Sequence, residues 1–262
     1  MFISIVRSHR LLGVAAVLTF CTVPVSMRAQ TTAEHIVLGD RSSRAANAAS
    51  ALRHYETAIK ADPKSYEALW KATREAVELS EFNNNEGERN RLYTVAELYA
   101  HRAVEANPEA AEGHFELARA LGRKALSVGK RERVKYASDV HTHAVDALKL
   151  APKHPGALHV MGMWNYNVMR LSGVTRFVAR TFLGGKVFDS ASWEDAQRYM
   201  EESVAAEPNR LVHRLDLARV YAARGNKEKA REQYEATVRG TASGYNDKSY
   251  QREAANELKD MR

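Results

Sequence analysis

The fold is indicated most clearly by residues 217–238, which read LARVYAARGNKEKAREQYEATV. Two apolar stretches with helical spacing flank Gly225 and the asparagine after it, a pair that suits a tight turn between helices. The small side chains of Ala218 and Ala230 allow two antiparallel helices to touch, and a tyrosine on each stretch fills the space between them. This stretch therefore predicts a helical hairpin.

A related pattern returns along the chain in front of four prolines. The dipeptides that end these stretches are Asp62-Pro63, Asn107-Pro108, Ala151-Pro152 and Glu207-Pro208. The positions 12, 8, 5, 4 and 2 residues before each proline are apolar in nineteen of twenty cases, which places one apolar stripe on each helix. The prolines are 45, 44 and 56 residues apart, so the pattern predicts repeated helical hairpins that are longer than a standard repeat of about 34 residues.

These features resemble the tetratricopeptide repeat. Its signature positions are occupied here by Leu217, Ala218, Tyr221, Gly225, Ala230, Tyr234 and Thr237. The extra residues of each unit are expected to lengthen helices or loops, and residues 247–261 predict a last amphipathic helix that caps the stack. The predicted fold class is all-α, a tetratricopeptide-like α-α superhelical solenoid with a C-terminal capping helix.

The N-terminal residues differ in composition from the rest of the chain. Basic residues precede an apolar run from Leu11 to Val25, which is typical of a secretory leader. We expect a signal peptide over residues 1–29, a flexible segment over 30–44 and the repeat domain over 45–262. An exported protein, periplasmic or secreted, follows from this interpretation. The alternative is a membrane anchor formed by an uncleaved leader, although the run is short for a membrane span.

The charge of the chain is modest. The sequence has 39 basic and 32 acidic residues, a net charge of +7, and removal of Arg7, Arg10 and Arg28 with the leader reduces it to +4. Domains that bind nucleic acids concentrate Lys and Arg on one face, so we expect no nucleic acid partner. The only cysteine, Cys21, lies in the predicted leader, so no disulfide is expected in the mature protein.

A second motif lies in the third unit, where residues 157–185 read ALHVMGMWNYNVMRLSGVTRFVARTFLGG. The residues of interest are His159, Gly162, Trp164, Tyr166, Arg176, Arg180 and Phe182. With the helix that ends at Pro208, these residues resemble the family called regulators of microtubule dynamics, and weaker similarity extends from about residue 48 to 261. The motif is not part of an ordinary tetratricopeptide repeat.

The resemblance implies a binding role. Members of that family are associated with microtubules, with membrane tethering and with phospholipid binding. Because we predict an exported chain, tubulin is not an expected partner, whereas an anionic phospholipid or a peripheral membrane contact is compatible with export. These partners are implied by the resemblance alone.

The first helix of each stacked hairpin lines a concave groove, in which two rows of side chains can be located. Seven residues after the prolines are Trp70, Phe115, His159 and Leu215; eleven residues after them are Arg74, Arg119, Met163 and Arg219, with Arg123 and Tyr166 nearby. Guanidinium groups bind carboxylates and phosphates through paired hydrogen bonds, so these rows predict a groove for an acidic peptide or an anionic lipid. The alternative is that the arginines pair with groove glutamates such as Glu67, Glu78 and Glu112, and that the rings pack in the core.

The longest departure from the repeat is an insertion at about residues 170–190. Its basic residues Arg170, Arg176 and Arg180 alternate with apolar side chains that include Phe182. Such an amphipathic helix could cover the groove, lie in a membrane interface or fill a packing gap. The sequence alone leaves these three roles open.

No metal, cofactor or catalytic residue is predicted. His141 and His143 are two residues apart on a predicted helix and point about 160° away from each other. His154, His159 and His213 have no histidine partner three or four residues away. Hydrolase and phosphate-loop signatures are also missing.

The sequence therefore predicts a non-catalytic binding or scaffold protein whose groove binds an acidic peptide or an anionic lipid. The alternative is a structural adaptor of a cell-envelope assembly that acts through the convex face or the insertion, and a hydrolase is the third hypothesis. No oligomeric state is predicted.

Overall fold

The computed structural model describes residues 25–182 and 186–261, and all regular structure in these residues is helical. The α-helices are α1 Val25–Arg44, α2 Ala48–Ala61, α3 Tyr66–Glu81, α4 Glu86–Ala106, α5 Ala111–Lys124, α6 Lys130–Leu150, α7 Pro155–Met169, α8 Gly173–Phe182, α9 Trp193–Ala206, α10 Leu211–Ala223, α11 Lys227–Arg239 and α12 Asp247–Asp260. Short 3-10 turns cover Ala125–Ser127 and Lys186–Ser190.

The helices pack as hairpins that stack in chain order. The pairs are α1 with α2, α3 with α4, α5 with α6, α7 with α9 and α10 with α11, and α12 packs on α11 and α10. This arrangement confirms the predicted all-α, tetratricopeptide-like solenoid. The longer spacing between prolines is taken up partly by α4 and α6, which each contain 21 residues.

Local chemistry explains where these helices begin and end. The side chain of Ser65 accepts the backbone N–H of Ala68 at the start of α3, and Asn85 accepts that of Glu88 at the start of α4. The residue before each repeat proline leaves the helical region, as at Asp62 with φ −133° and ψ 96°, because proline disfavours helical backbone in the residue before it. Gly225 has φ +81° in the turn between α10 and α11, a conformation that favours glycine.

The predicted apolar stripes form the interior. The positions 12, 8 and 5 residues before each proline are buried at Ala51, Tyr55 and Ala58, at Ala96, Ala100 and Ala103, at Val140, Ala144 and Ala147, and at Ala196, Met200 and Ser203. Small residues at most of these positions let neighbouring helices approach closely. The apolar interior forms two clusters, one mainly from α1 to α7 and the other mainly from α7 to α12.

The segment over residues 30–44, which we expected to be flexible, belongs instead to helix α1. Ile36 is buried in the first core cluster, and the Tyr55 hydroxyl donates a hydrogen bond of 2.7 Å to Asp40 Oδ1. These contacts hold the helix against α2, which explains the difference from the prediction. Residues 1–24, on which the leader and anchor interpretations rest, lie outside the described residues. None of the helices within the described part combines the length and apolar character that a membrane span requires.

The predicted insertion contains α8 and the turn that follows it. Phe188 in this turn is buried, with its ring 5.9 Å from the ring of Trp164. Helix α8 packs mainly on the same turn. The end of the insertion therefore fills space in the core, while α8 lies outside the stack of hairpins.

Candidate functional site

The predicted row of arginines lies on the inner helices α3, α5 and α10. Arg74 Nη2 lies 2.9 Å from Glu75 Oε1 and 3.2 Å from the Ser43 hydroxyl. Arg119 Nε lies 3.0 Å from Glu116 Oε2. Both cations are held by acceptors of the same chain.

Glu78 is the centre of an ion-pair network across the groove. Its Oε1 accepts hydrogen bonds from Arg119 at 3.2 Å and from Arg210 at 3.0 Å, and its Oε2 accepts one from the Asn246 side chain at 2.9 Å. Burial acts to raise the pKa of the Glu78 carboxyl, but Arg119 and Arg210 outweigh burial and hold this pKa below its ordinary value. Glu78 therefore stays ionised and neutralises part of the cationic row.

Glu116 differs from Glu78 because its burial is only partly compensated. The side chain is fully buried, and its Oε1 has no hydrogen-bond partner among the described residues. Desolvation raises the pKa of the Glu116 carboxyl to about 7, although Arg119 opposes the shift. Glu116 is thus a buried group that titrates near neutral pH.

The C-terminal helix α12 supplies further carboxylates to the groove. Arg219 Nη2 lies 2.7 Å from Glu253 Oε2 and Arg219 Nε lies 2.9 Å from Glu257 Oε1. These carboxylates and Asp216 raise the pKa of Arg219 although its burial acts in the opposite direction. Arg123 is paired with a carboxylate as well, that of Glu81. Arg219 therefore binds carboxylates of α12, whereas Arg123 binds one at the end of α3, and both helices belong to the same chain.

The expectation of an open cationic groove is wrong. Arg74, Arg119, Arg123 and Arg219 each contact a carboxylate of the chain. Removing such cations from water without a counter-ion would be costly, and carboxylates of the same or a neighbouring helix supply the counter-ions. The alternative of ion pairing between groove helices is the arrangement that the structure has.

The predicted aromatic row also makes contacts within the chain. The Trp70 ring lies under the guanidinium of Arg74 at 5.3 Å, and the Phe115 ring lies 4.7 Å from that of His154. His159 Nε2 lies 2.8 Å from Asp216 Oδ2. Met163 is half-buried beside the second core cluster, and Tyr166 is buried in it. The aromatic row thus lies within the packing of the inner helices.

The insertion is the part of the predicted site that faces solvent. Val174 is 76% exposed and Phe177 is 53% exposed on α8. Arg180 follows Phe177 by three residues on the same helix, and Arg170, at the C-terminal end of α7, precedes α8. We call this set (Arg170, Val174, Phe177 and Arg180) the α8 surface. The side chain of Phe182, which was also predicted to contribute, lies outside the described residues.

The arginines of the insertion have weaker partners than those of the groove. Arg170 donates to the Tyr166 hydroxyl at 3.1 Å, and Arg176 donates to Met169 Sδ at 3.0 Å. Arg180 lies 3.4 Å from Asp189 in an exposed ion pair, an interaction of small net energy. The α8 surface therefore presents positive charge beside exposed apolar side chains.

Sequence reasoning missed the contribution of α12 and a buried lysine. Lys71 Nζ lies 2.7 Å from both Asp40 Oδ1 and Glu67 Oε1. The Tyr250 hydroxyl donates to Glu81 Oε2 at 2.8 Å. A signal for the role of α12 was present, because polar residues recur along one face of that helix at helical spacing, but the sequence does not show which helix that face meets.

Solved structures support the fold. The chain is similar to a thermophilic tetratricopeptide repeat protein of Thermus thermophilus, with a TM-score of 0.59 and 19% identity over 86% of this chain and 99% of that one. PilF of Pseudomonas aeruginosa gives a TM-score of 0.52 with 14% identity over 90% and 93% of the two chains. At these identities the likeness concerns the fold alone.

Curated relatives connect the chain with a named family. Mouse regulator of microtubule dynamics protein 1 is 25% identical over 63% of this chain and 54% of its own length. The human protein 1 is 27% identical over 54% and 44%, and the rat protein 3 is 23% identical over 62% and 34%. The chain thus aligns with about half, or less, of each relative.

These relatives overturn the predicted localisation. They are eukaryotic regulators of microtubule dynamics, which are mitochondrial or cytoplasmic proteins. The prediction of an exported protein, periplasmic or secreted, is therefore wrong. Without export, tubulin is no longer excluded as a partner.

The family model gives the broadest coverage. The model described as Regulator of microtubule dynamics protein 1-3 matches residues 32–262, which include the motif around Gly162 and Trp164 and all the helices from α2 to α12. The resemblance noted in the sequence is confirmed. This chain belongs to the regulator of microtubule dynamics protein 1-3 family.

Proposed function

We propose that the protein is a non-catalytic scaffold that binds an acidic protein partner through the α8 surface. A helical-repeat fold of this kind suggests a binding or scaffold role. The observation that supports the finer proposal is the exposure of Val174 and Phe177 between Arg170 and Arg180. Burial of each apolar side chain by a partner would contribute about 1.5–3 kcal/mol.

The charge of the insertion favours an acidic partner. The stretch from Arg170 to Ser190 contains four basic residues and one acidic residue, Asp189. Complementary charge on a partner would speed association and exclude basic surfaces. In contrast, the groove arginines already face carboxylates of the chain, so the groove is the weaker candidate for an acidic peptide or an anionic lipid.

The proposal retains one part of the adaptor hypothesis, namely contact through the insertion. A basic amphipathic helix is also compatible with an anionic membrane surface. We favour a protein because tetratricopeptide-like folds suggest protein or peptide partners. Binding of the α8 surface to an anionic membrane is the competing outcome of the experiment below.

Polymerised tubulin is the first partner to test, because the relatives are named for microtubule dynamics. The full chain is sedimented with microtubules as wild type and as the Phe177→Asp, Arg180→Glu double variant. The matched control is Val37→Asp, which alters an apolar residue on α1 that is 59% exposed. We expect the double variant to bind at least about tenfold more weakly, a loss of about 1.4 kcal/mol, and the control to bind like the wild type.

Two results would contradict the proposal. Equal sedimentation of the double variant and the wild type would remove the α8 surface from consideration. Flotation of the wild type with phosphatidylserine vesicles, without sedimentation on microtubules, would assign the same surface to a membrane instead of a protein.

A further inference from the structure

Two histidines and one aspartate meet between helices α5 and α6. His114 Nδ1 on α5 lies 3.1 Å from His143 Nδ1 on α6. Asp146 follows His143 by three residues on α6, so its carboxylate lies over the same face. One ligand atom from each of the three residues lies within 4.8 Å of the other two. This cluster is separate from the groove network and from the α8 surface.

The hydrogen bonding of His114 orients its ring for coordination. His114 Nε2 lies 2.9 Å from the backbone carbonyl oxygen of Pro108, which can only accept, so Nε2 carries the proton. In the neutral ring, Nδ1 then presents its lone pair to His143. A histidine that binds a metal usually donates its other ring N–H to a carbonyl or carboxylate in this way.

We propose that His114 Nδ1, His143 Nδ1 and the Asp146 carboxylate bind a divalent transition metal of the Zn²⁺ type. Tetrahedral Zn²⁺ has bonds of about 2.0–2.2 Å to nitrogen and oxygen, which place neighbouring ligand atoms roughly 3.3 Å apart. The two imidazole nitrogens already have nearly this separation. His143 and Asp146 are half-buried, so a water molecule can supply the fourth ligand.

Lys149, which pairs with Asp146, competes only weakly with a metal ion for the carboxylate. Lys149 Nζ lies 2.8 Å from Asp146 Oδ1, and the lysine side chain is 69% exposed. An exposed ion pair of this type contributes little free energy. A divalent ion can therefore displace Lys149 and use the carboxylate.

The chain contains a matched pair without the third ligand. His35 Nδ1 and His54 Nδ1 lie 3.2 Å apart between α1 and α2, and the two rings have nearly the same tilt as the rings of His114 and His143. Within the part of the chain that the structure describes, only the cluster at Asp146 joins three such ligands. This second pair is the natural control.

The test is titration of the chelator-treated full chain with ZnCl₂ by isothermal calorimetry. We expect one site of higher affinity in the wild type, absence of that site in His143→Ala and an affinity reduced about 10–100-fold in Asp146→Asn. The His54→Ala control should retain the site. The Lys149→Met variant should bind as tightly as the wild type or more tightly, because it frees the carboxylate.

Thermal unfolding provides the second measurement. Zn²⁺ should raise the Tm of the wild type and of His54→Ala, since an ion that binds only the native state stabilises it, but not that of His143→Ala. Unchanged affinity in both His143→Ala and Asp146→Asn would overturn the proposal, as would loss of the site in His54→Ala. If His143→Ala is poorly folded, Asp146→Asn decides, because that change leaves both rings in place.

Discussion

Glu116 is a buried carboxylate of the groove whose charge is only partly compensated. Its carboxylate is fully buried, and Arg119 contacts only one of its two oxygen atoms. The same guanidinium also contacts Glu78. One cation is therefore shared between two buried carboxylates. Of the two, Glu116 takes up a proton more easily than Glu78.

The stability of the protein should depend on pH through Glu116. The pKa of this carboxyl is about 7 in the folded chain against a reference value of 4.5, so the native state holds the proton more tightly than the unfolded chain. This contribution to stability is fully present below pH 4.5 and is lost as the pH rises through about 7. Glutamine does not titrate. Between pH 4.5 and about 7, the free energy of unfolding of Glu116→Gln should therefore rise by about 3 kcal/mol relative to that of the wild type. Urea unfolding at several pH values measures this difference.

The control for this prediction is Glu88→Gln. Glu88 is exposed, and its hydrogen bond with Arg91 lowers the pKa of its carboxyl, so it stays ionised above pH 4.5. Its difference from the wild type should be constant across the same pH range. A constant difference for Glu116→Gln as well would contradict the assigned pKa.

At the scale of residues, the sequence predicts apolar positions better than charged ones. Tyr55 and Met200 are buried as their distance from the next proline predicts. The positions of Arg119 and Arg219 on the inner helices were also predictable, but their partners were not. Glu78 and Glu257 lie on other helices, and helical periodicity within one element carries no information about a contact between elements.

Among the elements, helix α7 approaches helix α9 closely at Gly162, a residue of the family motif. A Cβ atom at Gly162 would lie 2.5 Å from Met200 Cγ and 3.2 Å from the backbone nitrogen of Met200 on α9. Two positions further along, the Trp164 indole N–H donates to the carbonyl oxygen of Ala137 on α6 at 2.7 Å. The Gly-x-Trp motif therefore places α7 against both of its neighbours.

Substitution of Gly162 by alanine should loosen this packing. Alanine has the higher helix propensity, but the added methyl group would overlap Met200 and force α9 to move, at a cost of about 1–3 kcal/mol. The expected result is a lower Tm and a lower urea midpoint for Gly162→Ala. The control is Gly173→Ala at the start of α8, where the added carbon would meet no atom within 4 Å apart from its chain neighbours and the backbone of its own helix. That variant should be as stable as the wild type or slightly more stable, and equal effects of the two changes would contradict the packing argument.

The sequence predicts most of the helices, but it predicts less well which helices pack against each other. The spacing before Pro63 and Pro108 predicts α2 and α4, and the composition of residues 247–261 predicts α12. Helix α1 was missed because the apolar run before residue 25 suggested a leader with a flexible segment after it. Its fixed position depends on contacts such as that between Asp40 and Tyr55, which no local pattern shows.

At the scale of the whole molecule, the solenoid closes on itself. The Asn246 side chain donates to Glu78, and the Tyr250 hydroxyl donates to Glu81, so the last inner helix α12 contacts the C-terminal turn of α3. A cleft of about 450 Å³ remains beside this contact and is lined in part by Phe82, Asn84 and Tyr245. The standard repeat pattern predicts an open groove, and the closure depends on long-range polar contacts that the pattern does not contain.

Distance measurements across this cleft can test the closure. Spin labels at Asn84 and Tyr245, in a Cys21→Ser background, report the separation between the two sides. The Gln251→Ala control removes hydrogen bonds to Val238 and Gly240, which lie within the last hairpin and its loop. The distance distribution of this control should match that of the labelled parent.

The Asn246→Ala, Tyr250→Ala double variant should open the molecule. Each lost hydrogen bond joins α12 to a carboxylate, and bonds to charged groups contribute about 1.5–3 kcal/mol, so the change removes roughly 3–6 kcal/mol of the free energy that favours closure. The Oε2 atoms of Glu78 and Glu81, which lose their partners from α12, would then gain by hydration, and this favours separation of α3 from α12. We expect a longer and broader distance distribution with helix content retained in circular dichroism. An unchanged, narrow distribution would show that the remaining contacts close the solenoid without these bonds, namely the ion pair between Arg210 and Glu78 and the packing of α12 on α10 and α11.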